Sequence, residues 1–481
     1  MKLKTTKLER YWILYDVGNS AFTMLVSTLM SIYFNYFTDQ AGISNADYLS
    51  YWGYATSIAT IIVAVLGPTL GTFTDIKGMR KIVFSAALFI GAIGCLVLGF
   101  CWHWLWFLIL YVLTKSAFSL SLVVYDSMLG DVTTPSRMDE VSSRGYAWGY
   151  IGSCIPFIVC IVFYMLYSYG LMGLEVSMIL VFAVTAVWWV VCTLPLLKNY
   201  QQVHYVDSAS HPVRTSLKNL GGIFKELGKN KKILFFLIAF FCYIDGVYTI
   251  IDMATSFGTS LGLNTVSLVI ALLVTQIVAF PASILFGMLS RKVKPEYIIV
   301  LCIGGYCAIA IYAFFLMQEY QFWILAVAVG LFQGSIQAMS RSYYAKIIPP
   351  EKSGEYFGVY DIFGKGAAFV GTMLISVITQ IVTNTVGETV TFGSLTVGAQ
   401  NIGVAALAIL FVLGFIFFMI TIRTKSNLPE LVPEGAAEGG SADADGAENP
   451  AAEYVSADDA TREADGGDFL AEDKNPEDRE E

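Results

Sequence analysis

Twelve stretches of mostly apolar residues, each long enough to cross a bilayer, leave this chain few folds to choose from. They lie near residues 11–37, 49–72, 82–101, 104–129, 145–167, 174–197, 232–257, 266–289, 296–317, 321–345, 356–382 and 397–422. A spanning α-helix needs about 20 such residues, because backbone N–H and C=O groups in hydrocarbon must satisfy each other. Only 14% of the 481 residues are charged, against about 25% in ordinary soluble domains. The expected class is therefore all-α and integral to a membrane, with a lipid bilayer as the obligatory partner. No nucleic-acid partner is expected, and the expected state is a monomer.

The formal charge of −9 comes from one end. Pro429 to Glu481 holds 18 acidic and 3 basic residues, which leaves +6 on residues 1–428. That segment has too few large apolar groups to offset the entropy of ordering it. Residues 426–481 are accordingly expected to be an acidic, disordered tail. Eight cysteines (Cys95, Cys101, Cys154, Cys160, Cys192, Cys242, Cys302, Cys307) fall inside the apolar stretches with no Cys-x-x-Cys pair, so neither a disulfide framework nor a metal site is indicated. The basic segment 1–10 precedes a run that contains Asp16 and lacks a small-residue cleavage site. It is read as the lead-in to an uncleaved first helix.

Lysine and arginine mark the cytoplasmic ends of spans. They occur at the N-terminus, then at Lys77–Lys81, Arg137 and Arg144, Lys198–Lys232, Arg291–Lys294, Lys346 and Lys352, and Arg423 and Lys425. The alternate connections, 38–48, 102–103, 168–173, 258–265, 318–320 and 383–396, hold neither residue. An even number of spans with both termini in the cytoplasm is what this alternation requires.

The chain also repeats itself. Gly71-Thr-Phe-Thr-Asp-Ile-Lys-Gly-Met-Arg-Lys81 after helix 2 recurs in weaker form as Gly287-Met-Leu-Ser-Arg-Lys-Val-Lys294 after helix 8. Asp126–Pro135 at the end of helix 4 is matched by Arg341–Pro350 at the end of helix 10, at nearly the same offset. Two six-helix halves follow, 11–197 and 232–425, joined by a polar linker 198–231 in which Ser216 to Lys231 is expected to form a surface amphipathic helix.

Ionisable groups at membrane depth cost roughly 2.5–3.5 kcal/mol each on insertion scales and usually face a cavity. Four helices carry such groups in stripes at helical spacing. Helix 1 has Asp16, Ser20, Thr23 and Ser27; helix 4 has Lys115, Ser119 and Asp126; helix 7 has Asp245, Thr249, Asp252 and Ser256; helix 10 has Gln333, Gln337, Arg341 and Tyr344. Asp16, Lys115, Asp126 and Arg341 lie near helix ends, where gating ion pairs are the alternative to solute contact. Asp245 and Asp252 sit deeper and are candidates for a coupling proton or sodium ion; no other cofactor is expected. On helix 11, Asp361 and Lys365 are spaced to pair with each other. Gly145-x-x-x-Gly149 and Gly330-x-x-x-Gly334 permit close helix contact.

The Gly71 segment resembles the helix 2–helix 3 loop of the major facilitator superfamily, with Gly71, Asp75, Gly78, Arg80 and Lys81 at the matching places. The resemblance implies a cytoplasmic latch in which Asp75 engages donors or a helix N-terminus on the opposite half when the carrier opens outward; helix 11 is expected to begin near Glu355. Arg291 stands where a second latch would need an acid. The superfamily fold puts helices 1, 4, 7 and 10 around a central cavity, in agreement with the stripes. Leu14-Tyr-Asp-Val-Gly-Asn-Ser-Ala-Phe22, Ser142–Tyr150, Tyr243–Thr249, Ser340–Pro350 and Glu355–Lys365 are similar to the vacuole effluxer family, the autophagy-related amino-acid effluxers and their bacterial relatives. Val17-Gly18 and Tyr125-Asp126 depart from the family's usual Trp-Ala and Tyr-Asn.

What this implies is a secondary transporter moving a small polar solute, an amino acid or similar zwitterion, by alternating access and ion-coupled efflux. The membrane would be the plasma membrane in a bacterium and the vacuolar membrane in a fungus. Asp16-Val-Gly-Asn-Ser20 also resembles the sugar and hexuronide cation symporters, and a nutrient sensor that keeps the carrier fold is a third reading. An enzyme is not expected. The three histidines (His103, His204, His211) all lie in connections, and Gly358–Gly366 mimics a phosphate loop with the wrong spacing and Gly366 in place of its Ser/Thr.

Overall fold

The apolar stretches become twelve long helices in the computed structural model, which describes residues 5–207, 227–260, 265–392 and 395–425. The spans are Lys7–Gln40, Ser50–Thr74, Met79–Leu98, Trp104–Ser127, Met138–Ser168 and Leu174–Asn199, then Lys231–Ala254, Ile270–Leu289, Pro295–Phe314, Glu319–Ile347, Pro350–Thr385 and Ala399–Arg423. They are numbered helix 1 to helix 12. The acidic tail 426–481, most of the expected amphipathic helix 216–231, and the side chain of Ser256 lie outside the described residues.

Several helices outrun their apolar cores for identifiable reasons. Helix 1 begins early because Thr6 caps it, accepting the Glu9 N–H at 3.1 Å while Glu9 accepts the Thr6 N–H at 2.8 Å. Glu9 also holds Arg137 and the Thr133 hydroxyl, each at 2.7 Å, and so ties the start of helix 1 to the connection between helices 4 and 5. Helix 5 starts at Met138, seven positions before the predicted 145, because Asp139, Glu140 and Arg144 pair with other side chains instead of turning to water. The connection after helix 11 contains a hairpin that the apolar pattern did not announce. Its strands β1 (Thr389–Phe392) and β2 (Leu395–Gly398) are antiparallel, with Val390 opposite Val397. Their β-branched alternation explains the pairing.

Packing repeats between the first and second six helices. Helix 1 packs on 5 and 6 as helix 7 packs on 11 and 12; helix 2 packs on 4 as 8 packs on 10; helix 3 packs on 4 and 6 as 9 packs on 10 and 12. The halves meet chiefly where helix 2 runs against 11 and helix 5 against 8 and 10. These seams use small residues, since lipid offers no hydrophobic drive for association and close van der Waals contact must supply it. Gly71 abuts the Gly354 carbonyl, Gly358 abuts Pro68, and Gly287 abuts Ser143. Each half keeps its own aromatic core: Trp12 stacks on Tyr125 with centroids 4.4 Å apart, and Phe240 on Tyr360 at 4.1 Å. All eight cysteines are free thiols.

Candidate functional site

Among the described residues, most of the side-chain links between the halves gather at the end of the bundle that carries the basic connections. Asp75, at the C-terminus of helix 2, accepts the backbone N–H of Gly354 at 2.7 Å and of Glu355 at 2.9 Å. Those amides belong to the first turn of helix 11, which has no intrahelical partners for them and carries the positive end of the helix dipole. Arg80 holds the same carboxylate at 2.8 Å and Asp131 at 2.7 Å. Gly78, at φ +78°, makes the turn between helices 2 and 3 that brings Arg80 back to Asp75. Lys81 is only partly buried and makes no ion pair among the described residues. Burial pushes the Asp75 carboxyl up to about 6, only partly offset by Arg80 and the two amides, so at neutral pH it is still the anion. For Asp131 burial acts upward too, but Arg80, His204 and Tyr200 outweigh it and hold the carboxyl below its ordinary value.

Two more links flank this one. Asp139 of helix 5 accepts the Ser342 hydroxyl at 2.7 Å and Lys346 Nζ at 2.6 Å, both from helix 10. Glu140 takes Arg144 at 2.5 Å and also pairs with Arg291 across the seam. Arg291 therefore makes its own bridge, of opposite polarity to the Asp75 latch.

Arg341 of helix 10 crosses into the first half. Its guanidinium meets Asp126 at 3.0 Å, Asp16 at 3.3 Å, and the Ser142 hydroxyl and carbonyl at 3.0 and 3.1 Å. Trp12, Tyr125 and Tyr146 lie 4.6, 5.6 and 4.4 Å from it. The three charges that sequence spacing offered as solute contacts thus engage one another, two carboxylates sharing one guanidinium in an aromatic cage, which is the geometry of a gate. Gly145 is needed at this point, because a side chain there would run into Asp16 and Arg341.

The remaining candidates lie elsewhere. Lys115 of helix 4 stands 5.4 Å from the Phe118 ring and makes no ion pair among the described residues. It is within electrostatic reach of Asp252, Asp361 and Lys365 on the other half. Asp252 is solvent-exposed, and Asp361 pairs with Lys365 at 2.6 Å. Asp245 is fully buried. One of its oxygens accepts the Gly371 N–H of helix 11 at 2.9 Å and Thr249 at 3.3 Å, and the other has no partner among the described residues. The helix 7 stripe therefore divides, with Asp245 turned to helix 11 and Asp252 open to solvent. Ser20 donates to its own helix at Asp16, and Thr23 is exposed. Gln337 reaches the Tyr150 hydroxyl at 3.4 Å. Gln333 borders an apolar pocket walled by Ile250, Phe257, Leu272, Phe322 and Val329. Sequence reasoning missed Asp131, Asp139, Glu140 and Lys346. All four sit at helix ends, where charge normally signals only water.

Two packing-equivalent sets of six helices, shut at one end by ion pairs and holding charged side chains between helices 4, 7 and 11, define a membrane transporter of the major facilitator type. Solved structures share the fold at low identity. The proton:xylose symporter XylE, bound to 6-bromo-6-deoxy-D-glucose, superposes with a TM-score of 0.65 at 11% identity, over 86% of this chain and 94% of that one. The human organic anion transporter MFSD10 gives 0.62 at 11%, over 85% and 98%. The chain belongs to the family described as "Vacuole effluxer Atg22 like", which residues 131–426 match. The uncharacterized MFS-type transporter YxiO of Bacillus subtilis (strain 168) is 39% identical over 421 residues, 86% of this chain and 95% of that one. Autophagy-related protein 22 of Eremothecium gossypii is 24% identical over 359 residues, 67% of this chain and 70% of that one. These relatives are transporters, not enzymes.

Proposed function

We propose that this transporter carries a small zwitterion, of the amino-acid class, by alternating access. The observation that supports it is the juxtaposition of Lys115 on helix 4 and Asp252 on helix 7, between which no ion pair is formed. The two opposite charges stand on opposite halves within electrostatic reach of each other, while Arg341, Asp16 and Asp126 are taken up in the gate. Lys115, only partly exposed, is held at membrane depth without an ion-pair partner among the described residues, which is costly, while Asp252 is open to an incoming solute. A solute carboxylate at Lys115 and a solute ammonium at Asp252 would satisfy both and draw the halves together. With the basic end shut, the arrangement fits the stage at which solute exchanges with the far side. The basic connections favour cytoplasmic termini, the kinship with a Bacillus protein favours the plasma membrane, and membership of the vacuole effluxer family favours an efflux role.

Asp245 is our choice for the coupling group. A buried carboxylate with one unpartnered oxygen, and no cation against it among the described residues, is the place for a proton or a sodium ion. Counterflow in proteoliposomes loaded with single amino acids is the test. Lys115→Ala and Asp252→Asn should each cut exchange at least about tenfold, the scale of one lost charge-assisted bond, with folding intact. Asp245→Asn should exchange solute normally but lose the dependence on pH or sodium. Equal flux of every amino acid in the Lys115 and Asp252 variants would refute the zwitterion reading, and an unchanged ion dependence in Asp245→Asn would refute the coupling role.

A further inference from the structure

The connection that leaves helix 6 does not run free. It turns back and lies along the loop between helices 2 and 3. The Tyr200 hydroxyl donates to Asp131 at 2.5 Å, and His204 meets the other Asp131 oxygen through both its backbone N–H and Nδ1, each at 2.9 Å. The Gln202 amide spans the loop. Its Nε2 donates to the Thr74 carbonyl at 3.0 Å, and its Oε1 accepts the Gly78 N–H at 2.9 Å. Val206 then donates its N–H to the carbonyl of Asp75 itself at 2.8 Å, in a parallel bridge with Ile76, and Lys77 covers the Tyr205 ring at 5.0 Å.

We propose that Tyr200–Val206 is a clasp that holds the helix 2–helix 3 loop in the one shape that lets Asp75 grip helix 11, so that the inter-half connection sets how firmly the basic end closes. Gln202 and His204 are positioning residues in this scheme, because they touch neither helix 11 nor any solute. The physical reason lies in how Arg80 is shared. It faces two buried carboxylates, Asp75 and Asp131. With the clasp in place, Asp131 receives three further donors and Arg80 can serve Asp75. Without it, Asp131 is left with Arg80 as its one strong partner, and Arg80 is drawn away from Asp75. Gln202 meanwhile fixes the distance between the last carbonyl of helix 2 and the Gly78 amide that caps the start of helix 3. The clasp builds on the latch contact seen in the structure, and its test needs no solute, so its failure is separable from failure of the transport reading.

Hydrogen exchange followed by mass spectrometry on the full chain in nanodiscs reads the grip directly. Gly354 and Glu355 are first-turn amides whose acceptors are the two Asp75 oxygens. The combined variant Gln202→Ala, His204→Ala should speed exchange in the peptide covering 353–358 by about tenfold, the scale of one or two lost hydrogen bonds, and leave helices 9 and 12 unchanged. Asp75→Asn sets the upper limit. Adding Gln202→Ala to Asp75→Asn should change nothing further at 353–358, since both act through one contact. Unchanged exchange at 353–358 in the combined variant overturns the clasp. So does faster exchange spread evenly over all helices, which would mean general loosening. Should the combined variant not fold, Gln202→Asn, whose shorter side chain can reach only one side of the loop, takes its place with the same two outcomes.

Discussion

Arg341→Ala is expected to give the largest loss of stability of any single substitution at the seam. Arg341 is 2% exposed and, among the described residues, is the one cation between Asp16 and Asp126. Removing it leaves two carboxylates facing each other inside a cage of Trp12, Tyr125 and Tyr146, with the Ser142 hydroxyl and carbonyl deprived of their guanidinium donors as well. Deleting one member of a buried ion pair costs about 3–5 kcal/mol, because the surviving charge has neither water nor partner. Asp126→Asn should cost far less, since Arg341 and Asp16 still neutralise each other. Adding Asp16→Asn and Asp126→Asn to Arg341→Ala should restore much of the loss by removing the stranded charges. Thermal unfolding in detergent checks all three, compared at one scan rate because a chain of this size need not unfold reversibly. A melting temperature for Arg341→Ala within a degree or two of the parent would show that the guanidinium does not neutralise this cluster.

Gly354→Ala is expected to abolish the shut state of the basic end while sparing both helix sets. A methyl at position 354 would press on the Thr74 hydroxyl, the Gly71 carbonyl at 2.5 Å and the Asp75 carboxylate at 2.8 Å. Two of these obstacles cannot rotate away: one is backbone, and the other is the latch anion itself. Overpacking of this kind costs about 1–3 kcal/mol, and here the least costly relief is for helix 11 to move off helix 2, which also breaks the Asp75 contacts. Cysteine-accessibility labelling at the seam should therefore rise strongly, in a background cleared of native thiols. Gly304→Ala on helix 9 is the matched control. Nothing lies within 4 Å of the added methyl there, and alanine gains up to about 1 kcal/mol of helix propensity over glycine. Unchanged labelling in Gly354→Ala would mean that the helix 2–helix 11 seam is softer than its backbone contacts imply.

The spans, their number and the duplication are legible in the amino-acid sequence alone, for one physical reason. A helix in lipid must be apolar along its whole length, so hydropathy reports each span without help from its neighbours. That Asp75 engages the opposite half is implied by the resemblance of the Gly71 segment to the major facilitator loop, and an anion's gain at a helix start agrees with it. Asp361 and Lys365 are readable as a pair because four residues along one helix fix their distance.

What only the tertiary structure decided is the division of labour among the charges. Spacing put Asp16, Asp126 and Arg341 beside Lys115 and Asp252 on cavity-facing stripes, but it cannot say which stripe meets which, or at what depth. The fold brings helix 10 into the first half so that Arg341 engages both Asp16 and Asp126 and, of these five, only Lys115 and Asp252 stay available. It turns Asp245 toward Gly371, where the missing side chain lets a backbone amide approach. It also lays Gln202 across a loop more than 120 positions earlier in the chain and sets His204 against Asp131. Helical periodicity fixes direction within one rod, whereas the pairing of distant charges depends on how twelve rods are arranged, and that is set by small residues at the seams.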